Sequence, residues 1–227
     1  MHVATEPAIL YLGTPVVLIS TVNEDGSYNL APMSSAFWLG WRGILGLAAQ
    51  SKTPQNMRRT GECVLNLPSA DLVSAVNRLA LTTGTNPVPP GKLARGYRYE
   101  KDKFGISGLT PVRSETVAAP RVLECPVQLE AVVEASHGVA EDDNALRGRV
   151  ATFEVRIQRV HVEESLRLAG EPNRIDPDKW RPLIMSFQKF YGLGEGELHD
   201  SKLGQIPEKM YRSPDVDRAR AMAAAAA

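Results

Sequence analysis

The chain has 227 residues, 43% hydrophobic and 23% charged, enough for one substantial globular domain. Lys and Arg number 26, as do Asp and Glu, so the formal net charge is zero and the basic excess expected of a protein for nucleic acid or anionic membranes is missing. No apolar run approaches the roughly 20 residues that span a bilayer, and no basic segment with an apolar core opens the chain, so a signal peptide is not expected.

Val16–Val22 is a nearly continuous apolar run, the pattern of a strand covered on both faces. Asp25-Gly26 marks a hairpin into a second strand, and Pro32 in that strand cannot donate to a ladder, which puts it at an edge or bulge. The small apolar residues of Gly43–Ala49 predict close approach of another layer or of a planar ligand. Ser51-Lys52-Thr53-Pro54 then opens a short helix, with Thr53 as N-cap, Pro54 in the first turn and Gly61 past the far end. Its free N–H groups, the Ser51 and Thr53 hydroxyls and the Lys52 ammonium would meet where an apolar strand stops. That describes a phosphate-sized site at a positive helix end, although most such helix starts hold only water.

Glu62–Leu67 reads as a strand and Ala70–Leu81 as an amphipathic helix. Residues 82–104, rich in Gly, Pro, Lys and Arg, break periodicity and read as a lid or a mobile loop. Strand patterns return at Val127–Ala135 and Val150–Val162, joined by the polar stretch HGVAEDDNALRGR. The tail from Asn173 onward reads as helix and loop, with FQKFY as a strand finishing the sheet and the terminal AMAAAAA expected to fray. Several strands with turn punctuation and two helices describe a mainly β chain, a closed or partly closed barrel. Residues 1–170 are assigned to the barrel and 171–227 to an extension packed on the barrel or on a dimer partner.

Side chains for acid–base or metal chemistry are sparse. His2, His137, His161 and His199 have no second ligand at metal spacing, and His161 reads as structural. Glu141-Asp142-Asp143 reads as a solvated loop. Ser34 and Ser35 lack a nucleophile elbow, and Gly192, Gly194 and Gly196 lack the spacing and preceding strand of a dinucleotide fingerprint. Cys63 and Cys125 lie inside apparent strands, so buried thiols in a reducing cytoplasm are expected.

Four stretches carry a resemblance: GTPVVLISTVNEDGSYNLAPMSS at 13–35, SKTPQNMRRTGECVLNL at 51–67, SGLTPVRSETVAAPRVLECPVQLEAVV at 107–133 and the strand at 150–163. In this order and at this spacing the chain resembles the flavin reductase-like family of FMN-binding split barrels. It departs from the family where Lys52 runs directly into Thr53-Pro54 instead of Lys-Asp-Thr, and in the short GWRG turn. The resemblance implies a split β-barrel with peripheral helices. It places Asn29, Ala31, Pro32, Met33, Ser34 and Ser35 along the flavin ring and ribityl chain, mostly through backbone groups. Ala49 and Gln50 would lead into a phosphate site formed by Ser51, Lys52 and Thr53, with Asn56 behind. Residues 82–104 would lie near the open side of the flavin, where Tyr97, Tyr99 and Phe104 either cover the ring or anchor the loop. It also implies a homodimer, with Tyr191 and His199 as candidates to reach the flavin across the interface.

Hydride transfer to a flavin needs no protein acid–base pair, since the ring stores the electrons and the protein holds it with one face open. The resemblance implies reduction of FMN by NADH or NADPH, with reduced flavin used in place or passed to a partner monooxygenase. An FMN-binding electron carrier and an oxygen-dependent flavoprotein acting on a small substrate are the alternatives.

Overall fold

The computed structural model describes residues 1–194, 196–199 and 201–226. The chain runs through strands β1 (Leu12–Pro15), β2 (Val17–Val22), β3 (Tyr28–Met33), β4 (Ala36–Leu39) and β5 (Arg42–Ala48), then helix α1 (Lys52–Thr60) and β6 (Glu62–Leu67). Helix α2 (Val73–Arg78), the two-residue strand β7 (Thr82–Thr83), α3 (Pro90–Leu93), β8 (Arg98–Tyr99) and α4 (Lys103–Ser107) follow. The short strands β9 (Pro111–Val112) and β10 (Arg121–Val122) lead to the long hairpin β11 (Val127–Val139) and β12 (Val150–Val162). The last part holds β13 (Arg167–Leu168), β14 (Glu171–Ile175), β15 (Ile184–Ser186), β16 (Lys189–Tyr191) and helix α5 (Pro214–Ala226).

Seven strands form one antiparallel sheet in the order β3-β2-β6-β11-β12-β5-β4. Its two edge strands, β3 and β4, are neighbours in sequence. The sheet therefore curls until its edges return to one corner, at the two-residue Ser34–Ser35 turn that joins them. The result is a mainly β, split-barrel architecture. Pro32 sits in β3, an edge strand, as its missing N–H requires.

The apolar run of β2 is explained by two cores, one on each face. Val17 and Ile19 pack with Leu45, Met57, Leu65, Phe153 and Val155 inside the curl. Val16 and Leu18 pack with Leu30, Val76, Leu79, Phe104 and Leu183 outside it. The stretch 113–122 is stapled to the sheet by buried polar side chains. Asn66 accepts from the Val122 N–H at 2.8 Å, and Glu130 accepts from the amides of Glu115 and Thr116 at 2.9 and 2.6 Å. His161 Nε2 lies 2.7 Å from the same carboxylate, which gives this histidine its structural role. Both cysteines are free and buried, and burial pushes the Cys63 thiol up to about 12.

Four expectations are corrected. The helix predicted over 70–81 is a 3-10 turn at Ala70–Leu72 followed by α2, which stops at Arg78; Leu81 has φ 54°, which no helix accommodates. Residues 82–104 are not a bare loop but hold β7, α3, β8 and the start of α4. The FQKFY strand forms, as β16, but does not finish the main sheet: it pairs with β15, which pairs with β1, in a separate three-stranded sheet. The alanine-rich end continues helix α5 as far as Ala226 instead of fraying. That helix is seated on the barrel by Arg42, which bonds Asp215 at 2.9 Å and Glu154 at 2.9 Å. No helix of the described residues is long and apolar enough to cross a membrane.

Burial alone would raise the Glu130 pKa, but hydrogen bonds from His161, Thr116 and two amides outweigh it and hold the group at about 2. A carboxyl whose pKa falls on folding stabilises the fold above its unfolded pKa and loses that contribution as pH drops toward the folded one. Stability measured by urea denaturation should therefore decline from about pH 4.5 toward pH 2, less steeply in Glu130→Gln. At neutral pH the substitution should destabilise by about 1–3 kcal/mol, the effect of weakening a buried charged hydrogen-bond set.

Candidate functional site

Helix α1 begins two residues earlier than its Thr-Pro sequence indicates. Ser51, extended at φ −80° and ψ 159°, is the N-cap and makes no side-chain capping bond. Lys52 and Thr53 are the first two helical residues. Pro54 follows at the third position and removes one first-turn donor, so the amides of Lys52 and Thr53 are those left outside the helix ladder. Gly61 ends the helix in the left-handed conformation, with its N–H on the Met57 carbonyl at 2.9 Å, as predicted.

The Thr53 hydroxyl does not cap because another group claims it. Asn29 on β3 donates its side-chain amide to Thr53 Oγ1 at 3.0 Å, and both residues are buried. Asn56, one turn further along and fully buried, donates to Thr21 Oγ1 at 3.0 Å and to Asn23 Oδ1 at 2.8 Å. The polar side chains of β2, β3 and α1 thus form one buried network that ties the helix start to the sheet edge. Asn56 points into this network, behind the Ser51–Thr53 turn.

Lys52 leaves the network and pairs with Glu24 at 3.3 Å. Glu24 is held below the usual carboxylate range by its own backbone N–H, helped by Lys52. A cavity of about 230 Å³ opens here, lined by Asn29, Lys52, Gly84 and Tyr99 together with Glu24, Asp25, Glu100 and Lys101. Three carboxylates against two ammonium groups leave this wall short of positive charge.

Gly84 closes the site from the far side. A Cβ built on it would stand 2.6 Å from Asn29 Oδ1 and 3.1 Å from Lys52 Cγ, so only glycine fits between them. The three aromatic residues of the 82–104 region have three different roles. Tyr99 borders the cavity, Tyr97 lies under Lys92 and Arg95, and Phe104 is buried in the outer core beside Tyr28. Phe104 therefore anchors the segment, and Tyr99 is the aromatic residue at the opening.

The other predicted positions follow the sheet corner. Ala31, Pro32 and Met33 continue along β3, and Ser34 and Ser35 turn into β4, with Ser35 Oγ 3.2 Å from the Tyr11 hydroxyl. Ala49 and Gln50 lie between β5 and α1; the Ala49 N–H donates to the Arg149 carbonyl at 2.9 Å, and the Gln50 carbonyl accepts from Gln55. Tyr191 stands half-exposed on β16 and His199 is exposed; among the described residues neither makes a hydrogen bond to β3 or α1. Sequence reasoning missed Glu24 and Gly84. Nothing local in the stretch Thr82–Thr85 marks Gly84, because its constraint comes from residues more than 30 positions away.

Residues 10–194 match the model of the flavin reductase like domain, and the chain belongs to that family. It is 41% identical over 189 residues to the uncharacterized protein YdfE of Bacillus subtilis (strain 168), covering 83% of this chain and 88% of the relative. Among solved structures it is similar to the flavoredoxin of Desulfovibrio vulgaris (Miyazaki F), with a TM-score of 0.70 at 23% identity over 90% of this chain and 100% of that one. It is also similar to nitrilotriacetate monooxygenase component B from Bacillus cereus, with a TM-score of 0.65 at 22% identity over 82% and 87% of the two chains. At these identities the structural likeness speaks for the split-barrel fold.

Gly84→Ala should destabilise the protein by about 1–3 kcal/mol through overpacking against Asn29 and Lys52. Gly91→Ala, where a Cβ meets nothing within 4 Å, is the control and should leave the denaturation midpoint unchanged or raised. Equal midpoints for both variants would mean that the close approach at Gly84 does not exist.

Proposed function

We propose that this chain is an FMN-binding oxidoreductase that takes hydride from NADH or NADPH onto flavin held at the corner of β3 and α1. The observation that carries this reading is the buried Asn29–Thr53 bond, which fixes the first turn of α1 beside the free edge of β3. One element offers unbonded N–H groups and Lys52 to a phosphate, and the other offers edge-strand backbone groups to a flat polar ring. These residues fit the group: the donors suit a phosphate ester, and Gly84 keeps the approach free of a Cβ.

Bound flavin would supply hydride acceptance and electron storage. The chain's part is to bind and orient. Lys52 and the α1 amides would hold the phosphate, and the backbone from Asn29 to Ser35 would lie along the ring as preorganised dipoles that favour negative charge on it. Tyr99, at the opening, is placed to border the second substrate. A homodimer that brings Tyr191 or His199 of one copy to the other's flavin, and transfer of reduced flavin to a partner monooxygenase, belong to the same reading. The family assignment supports it.

Lys52→Ala should weaken FMN binding by about 1–3 kcal/mol, the range for a hydrogen bond to a charged group. Glu24→Gln should tighten it by up to about 1 kcal/mol, because it releases Lys52 from an exposed ion pair. Fluorescence titration of FMN measures both. Anaerobic addition of NADH or NADPH to the protein with FMN should bleach the flavin spectrum within seconds. Bound flavin that stays oxidised would favour the electron carrier, and absence of flavin binding would overturn the proposal.

A further inference from the structure

The cavity beside Lys52 is lined by a second cation, Lys101. Strand pairing brings it there from 49 positions further along the chain. β7 and β8 run parallel, with Thr83 beside Tyr99, and the Glu100 N–H donates to the Thr83 carbonyl at 2.9 Å. Gly84, the next residue, packs against Asn29 and Lys52. Residues 99–101 are thereby carried to the Lys52 cavity together with the glycine.

Each lysine is held by a carboxylate of one turn. Lys52 Nζ lies 3.3 Å from Glu24 Oε2, and Lys101 Nζ lies 3.4 Å from Asp25 Oδ2. The turn, between β2 and β3, is firmly fixed. Asn23 Oδ1 accepts from Asn56 at 2.8 Å, the Asn23 N–H donates to the Ser27 carbonyl at 2.8 Å, and Asp25 Oδ1 accepts the Ser27 N–H at 3.0 Å. The bonds from Ser27 hold the Asp25 carboxyl down at about 2, so it is ionised at neutral pH. Both ion pairs are open to water, with the side chains of Glu24, Asp25 and Lys101 more than half exposed. Such pairs contribute little to stability and give way readily to a stronger anion. The third carboxylate of the cavity, Glu100, is already answered by Arg98 at 3.1 Å and by the Asp102 N–H at 3.0 Å.

We propose that Lys101 is a second cation for the flavin's phosphate, acting with Lys52 in one cavity, and that Glu24 and Asp25 hold the two ammonium groups in place until the ester displaces them. This rests on the flavin reading above and adds the residue that separates a flavin with a terminal phosphate from one without. A phosphate ester carries close to two negative charges and three acceptor oxygens, so it engages two ammonium groups where a single carboxylate engages one. At about 230 Å³ the cavity has room for a phosphoryl group with several waters, each taking about 30 Å³. Glu24 can swing into water when the ester enters, and Lys101 can leave Asp25, which stays fastened to Ser27. The pairing of β7 with β8 then has a function beyond covering the ring, since it ties the second cation to Gly84.

The test is fluorescence titration of FMN and riboflavin on the full chain. Lys101→Ala should weaken FMN binding about three- to tenfold and leave riboflavin unchanged, while Lys101→Arg should keep most of the FMN affinity. Asp25→Asn, which frees Lys101, should strengthen FMN binding about twofold; weaker binding would overturn the holding role of that carboxylate. Lys179→Ala removes the same charge outside the cavity and should change neither ligand; a loss as large as that of Lys101→Ala would overturn the proposal. Unchanged FMN affinity in Lys101→Ala also overturns it, and the flavin reading stands if Lys52→Ala still weakens FMN. Equal losses for FMN and riboflavin, or as large a loss in Lys101→Arg as in Lys101→Ala, overturn it too, because neither is an effect of phosphate charge. If the chain binds no flavin, the reductase reading falls and inorganic phosphate becomes the probe. Compared with chloride at equal ionic strength, phosphate should then raise the thermal midpoint of the unsubstituted chain more than that of Lys101→Ala, and equal shifts overturn the proposal as well.

Discussion

The side chain of Asn29 is the point on which the corner of this protein depends. It is buried in an edge strand, and a buried amide without partners is strongly destabilising, so its hydrogen bond to the Thr53 hydroxyl is obligatory. That bond sets where helix α1 starts. With Thr53 drawn inward, Ser51 becomes the N-cap, Lys52 moves into the first turn, and the two free amides of the helix face outward beside β3. Asn56 and Thr21 carry the same network deeper, and the helix cannot shift along the sheet without leaving several polar groups unpaired.

The curl of the sheet supplies the other half of the site. Because β3 and β4 are edges joined by a two-residue turn, the strand that carries Asn29 has one side free of sheet neighbours. Such an edge invites pairing with another chain unless something covers or interrupts it. Pro32 interrupts it here, and the 82–104 segment covers its start, with Phe104 as the anchor and Gly84 as the point of closest approach. A flat polar ligand lying along this edge would serve the same purpose, and this is the physical basis on which the flavin reading fits the family.

Charge is distributed less simply than the helix start implies. Lys52 is answered by Glu24, and the cavity beside it holds an excess of carboxylates. Gly84 packs against Asn29 and Lys52 at the same place, because a Cβ there would stand 2.6 Å from Asn29 Oδ1. The same economy holds for the 113–122 stretch, where Glu130, sealed from water, organises amides, a hydroxyl and His161 around one carboxylate.

What could be read from the residues alone were features set by neighbours in sequence: the two-faced apolar run at Val16–Val22, the Asp25-Gly26 hairpin, the edge position of Pro32, the Gly61 stop and the long β11–β12 hairpin. Each follows from backbone geometry or from an alternation of side chains within a few positions. The misread features all have long-range causes. Thr53 lost its capping role to a residue 24 positions earlier, α2 stopped where Leu81 turned left-handed, and the alanine-rich end stayed helical because α5 is held on the barrel through Asp215 and Arg42. Tertiary structure alone brought Gly84 between Asn29 and Lys52 and set Glu130 to accept from His161 and the 115–116 amides. Local propensity says how a segment bends, whereas the pairing of a buried charge or amide depends on what the rest of the chain packs against it.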